Sequence, residues 1–313
     1  MTTEIIPLGT SAAIPTHHRH LSSTALRWEG RLLLFDCGEA TQFQLLRAGL
    51  KHSQLDAIFI THLHGDHYFG LMGLLSTMAL LNRIEPLRVV GPAGIAEIVQ
   101  ALPGVRHDDL TFRLAYVELW DDLRHEVVFD TKAFTVEARP LDHLVFAVGY
   151  RFQEKTQPGR LDVEQAKALG VTDYRHYRAL KAGEVVTLDD GRVVQPEAVV
   201  GPPRPGVSFA YVSDTRPCEA GVTLARGADL LYHEATFTED FKANAVKTGH
   251  STARDAAEVA RRAGAQKLIL GHFSARYKDV SVLVDEARAV FQNTEAAEEL
   301  KRYKIFPAPP EKF

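Results

Sequence analysis

Apolar runs and polar breaks along this chain predict strands and helices in mixed order. Residues 3–9 read as a first strand, and 24–28 with 31–36 as a hairpin turning at Glu29-Gly30. The run at 57–60 is short and apolar with two β-branched residues, as a buried strand is. Residues 71–81 are apolar and unbroken by proline, and read as a buried helix. Shorter helices are predicted over 40–48, stopped by Gly49, and over 95–102, ended by Pro103-Gly104. Residues 87–92, 112–118, 126–138 and 145–152 have strand character, as do 208–212, 229–232 and 267–270. Residues 252–263, with Ser251 or Thr252 as N-cap, and 280–291 read as helices. This order implies a mixed α/β fold.

Residues 153–206 differ in texture. They open at Gln157-Pro-Gly and close at Gly201-Pro-Pro-Arg-Pro-Gly206. Between lie a short helix over 163–169, basic and tyrosine residues, and a hairpin over 185–194. The segment is too small and polar for an independent domain, and reads as an inserted arm.

Composition narrows the setting. The 313 residues, 45% hydrophobic and 24% charged, suit one large core. No apolar run reaches membrane-spanning length, and residues 1–8 lack a signal peptide's basic start and long apolar region. The expectation is therefore no membrane association. Cys37 and Cys218 are too few for a disulfide framework, so a cytoplasmic location is expected. The net charge of −4 argues mildly against nucleic acid, but it hides an asymmetry. Residues 151–181 hold seven basic and four acidic side chains, a local +3 that leaves −7 elsewhere.

The chemistry centres on Asp56-Ala-Ile-Phe-Ile-Thr-His-Leu-His-Gly-Asp-His-Tyr-Phe-Gly70, where a predicted strand passes into a predicted helix. His62, His64, Asp66 and His67 crowd into six residues of the connecting loop. Imidazole and carboxylate donors together suit zinc, with iron or manganese open. Asp36, His143, Asp214, His233, Glu234, His250 and His272 each follow a predicted strand or sit in a Gly-flanked loop. Together these donors suffice for two metals. Two ions about 3.5–4 Å apart need a bridging carboxylate, and Asp214 is the natural choice.

These residues resemble the metallo-β-lactamase superfamily and, more narrowly, the ribonuclease Z family. The narrower likeness rests on Leu8-Gly-Thr, Phe35-Asp-Cys-Gly-Glu39, Thr61-His-Leu-His-Gly-Asp-His67 and Ser213-Asp-Thr-Arg-Pro217. It continues through His233-Glu-Ala-Thr236, His250-Ser-Thr252 and Gly271-His-Phe-Ser-Ala-Arg-Tyr277. The resemblance implies a single domain over 1–313 with a four-layer αββα sandwich and a protruding arm at 152–205 that grips tRNA. It implies a zinc-dependent endoribonuclease that removes the 3′ trailer of precursor tRNA by metal-hydroxide attack, leaving a 3′-hydroxyl. It assigns His62, His64 and His143 to one zinc, and Asp66, His67 and His272 to a second, with Asp214 between them. Manganese or another divalent ion could substitute. Asp66 would orient or deprotonate the water. His250 would protonate the leaving oxygen with Glu234 orienting it. Asp36 and His233 would support the ligands from behind.

Substrate contacts are expected from Arg19, Arg175, Tyr177, Arg178 and Lys181, with Tyr174 and Tyr177 available to stack on bases. A homodimer is also implied, one subunit's arm serving the other's site. Two stretches depart from the family. Pro15-Thr-His-His-Arg-His20 stands where Pro-x-Lys-x-Arg-Asn is usual, and Tyr174-Arg175 where the arm often has Gly-Pro. Two alternatives remain at this point: a hydrolase of this fold acting on another phosphodiester or a thioester, and a metal-stabilised RNA-binding protein without catalysis.

Overall fold

The computed structural model describes residues 3–307. Two compact units are separable: residues 3–153 with Val207–Phe306, and Glu154–Gly206.

The larger unit is built on two seven-stranded sheets. The first runs Tyr303–Ile305, Thr3–Gly9, Ser23–Trp28, Arg31–Phe35, Leu55–Phe59, Leu87–Pro92, Leu114–Leu119. The second runs Thr294–Ala296, Leu268–Gly271, Leu230–Glu234, Ser208–Val212, Ala147–Glu154, Phe134–Leu141, Glu126–Asp130. One face of each sheet meets the other in a shared core rich in aromatic rings, among them Phe35, Phe59, Phe134, Tyr150, Phe209, Tyr211 and Tyr232. The outer face of the first sheet is covered by the helices Thr41–Arg47, Gly70–Leu80 and Ile95–Gln100. The second is covered by Glu219–Ala225, Ala253–Ala263 and Ser281–Arg288. The result is the expected αββα layering. Parallel strands buried on both faces read as continuous apolar runs, which explains why they were legible without alternation.

Parallel pairing joins Arg31–Phe35, Leu55–Phe59 and Leu87–Pro92, and likewise Ser208–Val212, Leu230–Glu234 and Leu268–Gly271. Their C-terminal ends lead into the loops that carry the Asp, His and Glu side chains singled out above, the usual place for a site in open α/β sheets.

The structure corrects several element expectations. Residues 126–138 form two strands, not one. The Thr131 hydroxyl accepts from the backbone N–H groups of Ala133 and Phe134, and that turn folds the segment into a hairpin. Helices at Glu219–Ala225 and Lys242–Thr248 and the short strands Thr294–Ala296 and Tyr303–Ile305 were not anticipated.

The smaller unit has its own apolar cluster, including Ala166, Val171, Leu180, Val186 and Val194. Its helices start at side-chain caps, Asp162 for Val163–Ala168 and Asp173 for the unanticipated Tyr174–Lys181. Residues 154–206 hold eight basic and eight acidic side chains, so the positive balance of 151–181 does not extend over the whole unit. It gathers on the helix Tyr174–Lys181, where Arg175, Arg178 and Lys181 are exposed.

Candidate metal centre

Three strand ends turn sharply. Asp36, Asp214 and His272 follow their strands with φ of 58°, 45° and 54°. Non-glycine residues in this left-handed region cost on the order of 1–3 kcal/mol each and cluster at functional sites. All three side chains are buried.

The donors converge in groups. One ligand atom each from His62, His64, His143 and Asp214 lies within 4.8 Å of the others, and the same holds for Asp66, His67 and His272. Asp214 faces both groups. Its Oδ1 is 3.3 Å from His67 Nε2 and 3.2 Å from His272 Nε2, while its Oδ2 is 3.7 Å from His62 Nε2 and 4.0 Å from His143 Nε2. Asp66 Oδ2 lies 3.4 Å from His67 Nε2 and 3.7 Å from His272 Nε2, and accepts the Ala13 N–H at 2.9 Å.

The imidazoles are oriented from behind. His67 Nδ1 meets Asp36 Oδ2 at 2.8 Å, His143 Nδ1 donates to the Gly249 carbonyl at 2.7 Å, and His272 Nδ1 meets Thr236 Oγ1 at 3.0 Å. Each ring thus spends one nitrogen on the protein. The other, Nε2, is buried without a hydrogen-bond partner in His67, His143 and His272. A buried unpartnered nitrogen is costly, and metal coordination removes that cost. His62 Nε2 faces His64 Nδ1 at 2.9 Å, so these two rings offer nitrogens to one point. The donor set and its free nitrogens therefore fit divalent metal.

The supporting residues include some that the sequence did not single out for this role. Asp36 Oδ1 accepts from the Thr61 N–H and hydroxyl, and its Oδ2 accepts from the Tyr211 hydroxyl. The Thr61 hydroxyl also reaches His62 Nδ1 at 3.1 Å. The Thr236 hydroxyl links Glu234 Oε2 to His272. Gly249, at φ 75°, leaves room for His143, since a Cβ there would meet Nδ1 at 2.8 Å. His233 lies apart from the groups. It is one strand position from Tyr232, which faces the inter-sheet core, and so points to the opposite face. Its Nδ1 donates to the Glu234 carbonyl.

Charge follows this geometry. Burial disfavours an ionised Asp214, yet His272, His67 and His62 hold its carboxyl well below the usual range. Burial likewise opposes Asp66, but His272 and His67 keep it strongly acidic. Burial lowers His62 far below its ordinary value. In His67, burial is outweighed by Asp214 and Asp36, which raise it. His250 is half-buried, and desolvation lowers it, but Glu234, with Oε1 2.8 Å from its Nδ1, and then Asp214 lift it to about 9. His250 could also join Asp214 and His272 as a ligand. However, the nitrogen facing Asp214 at 3.9 Å is Nδ1, the one already bound to Glu234.

The remaining sequence candidates lie elsewhere. The Arg19 guanidinium donates to the Ser274 and Tyr277 carbonyls and pins residues 16–20 to the loop after His272. Arg175 pairs with Asp173, Arg178 donates to the Tyr174 hydroxyl, and the Tyr177 hydroxyl donates to the Val171 carbonyl. Tyr177 is half-buried against the small unit's core, so Tyr174 is the more exposed aromatic of the two.

A model of the anti-Pycsar protein Apyc1 family matches residues 3–144, and one described as a beta-lactamase superfamily domain matches residues 189–273. Ribonuclease Z of Salinibacter ruber is 52% identical over 98% of this chain and 96% of its own length. Ribonuclease Z of Geobacillus kaustophilus is 45% identical over 96% and 99%. Among solved structures, human tRNase Z, short form, superposes with a TM-score of 0.71 at 28% identity, covering 97% of this chain and all of its own. The metallo-beta-lactamase fold protein YhfI of Bacillus subtilis, at 19% identity and a TM-score of 0.67, shares the fold.

Proposed function

The chain belongs to the ribonuclease Z family, and from that membership we propose that it is an endoribonuclease that removes the 3′ trailer of precursor tRNA. The observation that carries the reading is the extent of the likeness. It runs through 98% of the chain, and so includes the inserted unit as well as the scaffold shared with other hydrolases.

We assign His62, His64 and His143 to one zinc ion and Asp66, His67 and His272 to a second, with Asp214 shared and manganese an acceptable substitute. When bound, such ions supply a hydroxide near neutral pH and neutralise charge building on the phosphoryl oxygens. Asp66, held ionised, accepts a hydrogen bond from the water and aligns it toward the phosphorus. His250, protonated and fixed by Glu234, gives its proton to the tRNA 3′ oxygen as the bond to phosphorus breaks. Asp36, through Thr61 and His67, keeps the ligand loop in register. Mapping the new end after incubation with a precursor tRNA and zinc should reveal a tRNA ending in a 3′-hydroxyl. An uncut precursor or a 3′-phosphate would refute the activity.

Exposed Arg175, Arg178 and Lys181 on one helix, with Tyr174 beside them, supply cations and a ring for RNA. Replacing the three cations with glutamate should lower kcat/KM for precursor tRNA at least about tenfold and flatten its salt dependence. Turnover of bis(p-nitrophenyl) phosphate should stay within about twofold, because that substrate is too small to need the contact. Arg19, committed to two carbonyls, acts by shaping residues 15–20.

A homodimer belongs to the same proposal and is supported by an apolar face. Phe43 and Leu46 on the helix Thr41–Arg47, and Leu80, Leu81 and Ile84 at the end of Gly70–Leu80, are 58–79% exposed. A patch of this kind suits an isologous contact between copies. Leu46→Glu with Leu80→Glu should give a monomer by light scattering, and a dimer that survives both changes would remove this face from the interface. Cytoplasmic location follows from the substrate. Among the described residues no helix is long and apolar enough to cross a membrane.

A further inference from the structure

We propose that an apolar groove beside the metal cluster holds an unpaired base of the RNA on the trailer side of the scissile phosphate, with Trp120 as its stacking platform. The inference rests on the endoribonuclease reading above and deepens it.

Of the chain's two tryptophans, Trp28 is 6% exposed and Trp120 is 62% exposed. Trp120 lines a groove of about 490 Å³ together with Leu63, Pro92, Asp121, Val145 and Phe146. That size falls within the range of about 300–1,000 Å³ common for small-ligand sites.

Three of the groove's lining residues are close neighbours of cluster residues in the chain. Leu63 sits between His62 and His64, and Val145 and Phe146 follow His143 by two and three residues. Its lining thus borders, along the chain, the part of the cluster formed by His62, His64 and His143. His250 and Glu234 belong to other loops, grouped with Thr236 and His272, and contribute nothing to its lining. His250 serves the oxygen that stays with tRNA, so the opposite edge is left for the nucleotide that departs.

Charge identifies the part of the nucleotide. Among the described residues, Asp121 is the one charged residue lining the groove, and no cation lines it. A phosphate would be repelled there, whereas a base face would be accommodated. Single-stranded bases stack on exposed aromatic rings without regard to sequence, which suits a trailer of variable sequence.

The test is a cycle on two precursor tRNAs, identical except that one has an abasic first trailer nucleotide. For the wild type, losing the base should raise KM about tenfold, in line with the roughly five- to hundredfold that a stacked base contributes. Trp120→Ala should raise KM for the normal precursor by a similar factor and be indifferent to the abasic change. Trp120→Phe should keep most of the wild-type preference. In a Trp28→Phe background, a short single-stranded RNA should quench the fluorescence of Trp120. Equal losses from the abasic change in wild type and Trp120→Ala would overturn the proposal. So would a Trp120→Ala effect confined to oligomeric state, which would mark a protein contact. A wild type that cuts neither precursor would instead refute the endoribonuclease reading.

Discussion

Replacing Asp214 with asparagine abolishes both precursor tRNA cleavage and turnover of a small phosphodiester, each by at least about a thousandfold. A factor of that size corresponds to roughly 4 kcal/mol of lost transition-state stabilisation. Asp214 is the carboxylate shared by the donor groups, 3.2–3.3 Å from His67 and His272 on one oxygen and 3.7 Å from His62 on the other. The substitution keeps volume and the hydrogen bond from the Ser213 hydroxyl, at 2.8 Å, but removes the charge. Elemental analysis of the purified variant should show metal content well below the wild type, and circular dichroism should show an intact fold. Because the loss strikes the chemistry, it affects large and small substrates alike, unlike glutamate substitutions on the helix Tyr174–Lys181. A variant retaining activity within tenfold of wild type would rule out a shared ligand at this position.

Asp214 shows why the donors that the structure brings together could be singled out in advance. These donors gather where parallel strands end, and buried strands announce their ends by a change from apolar to polar residues. His62, His64, Asp66, His67, Asp214 and His272 all stand at such changes. What orients them was far less legible. Thr61, Thr236 and Tyr211 each offer one hydroxyl, and a hydroxyl's partner is set by tertiary approach over as many as 175 residues, as from Tyr211 to Asp36. His233 was expected to support the ligands from behind, but strand alternation sends it to the other face.

The same limit applies to the fold. The helix Lys242–Thr248 buries only Ala245 and carries almost no periodic signal. Tyr303–Ile305 is three residues long and pairs with Thr3–Ile5 at the other end of the chain. The division at Thr131 depended on a side-chain turn inside an otherwise continuous strand-like run. In the smaller unit, charge counted over a chosen window suggested a basic surface. The helix Tyr174–Lys181, not the unit as a whole, concentrates the cations.

Glu234→Gln should move the alkaline limb of kcat for precursor tRNA to lower pH by at least about one unit. His250 can donate a proton only while protonated, so activity falls as pH rises through its pKa. Burial opposes its charge, and the Glu234 carboxylate, with help from Asp214, lifts that pKa to about 9. Glu234 is itself ionised despite full burial, because His250 stabilises it. Its Oε1 also accepts the Thr215 N–H and its Oε2 accepts from Thr236, so the side chain is fixed on both oxygens. Glutamine keeps the size and removes the charge. Burial then prevails over a weaker pull, and His250 loses its proton at a lower pH. Cations near Asp214 draw the value down in both proteins, so the difference between the two profiles is diagnostic. At neutral pH, His250→Ala should lower kcat for precursor tRNA by about 10²–10³, within the usual contribution of general acid catalysis. The leaving group supplies the control. A p-nitrophenolate needs no proton, so bis(p-nitrophenyl) phosphate should be hydrolysed by Glu234→Gln and His250→Ala within about tenfold of wild type. Equal losses on both substrates would mean that His250 holds metal and does not donate the proton. An alkaline limb unmoved by Glu234→Gln would mean that another group is the acid.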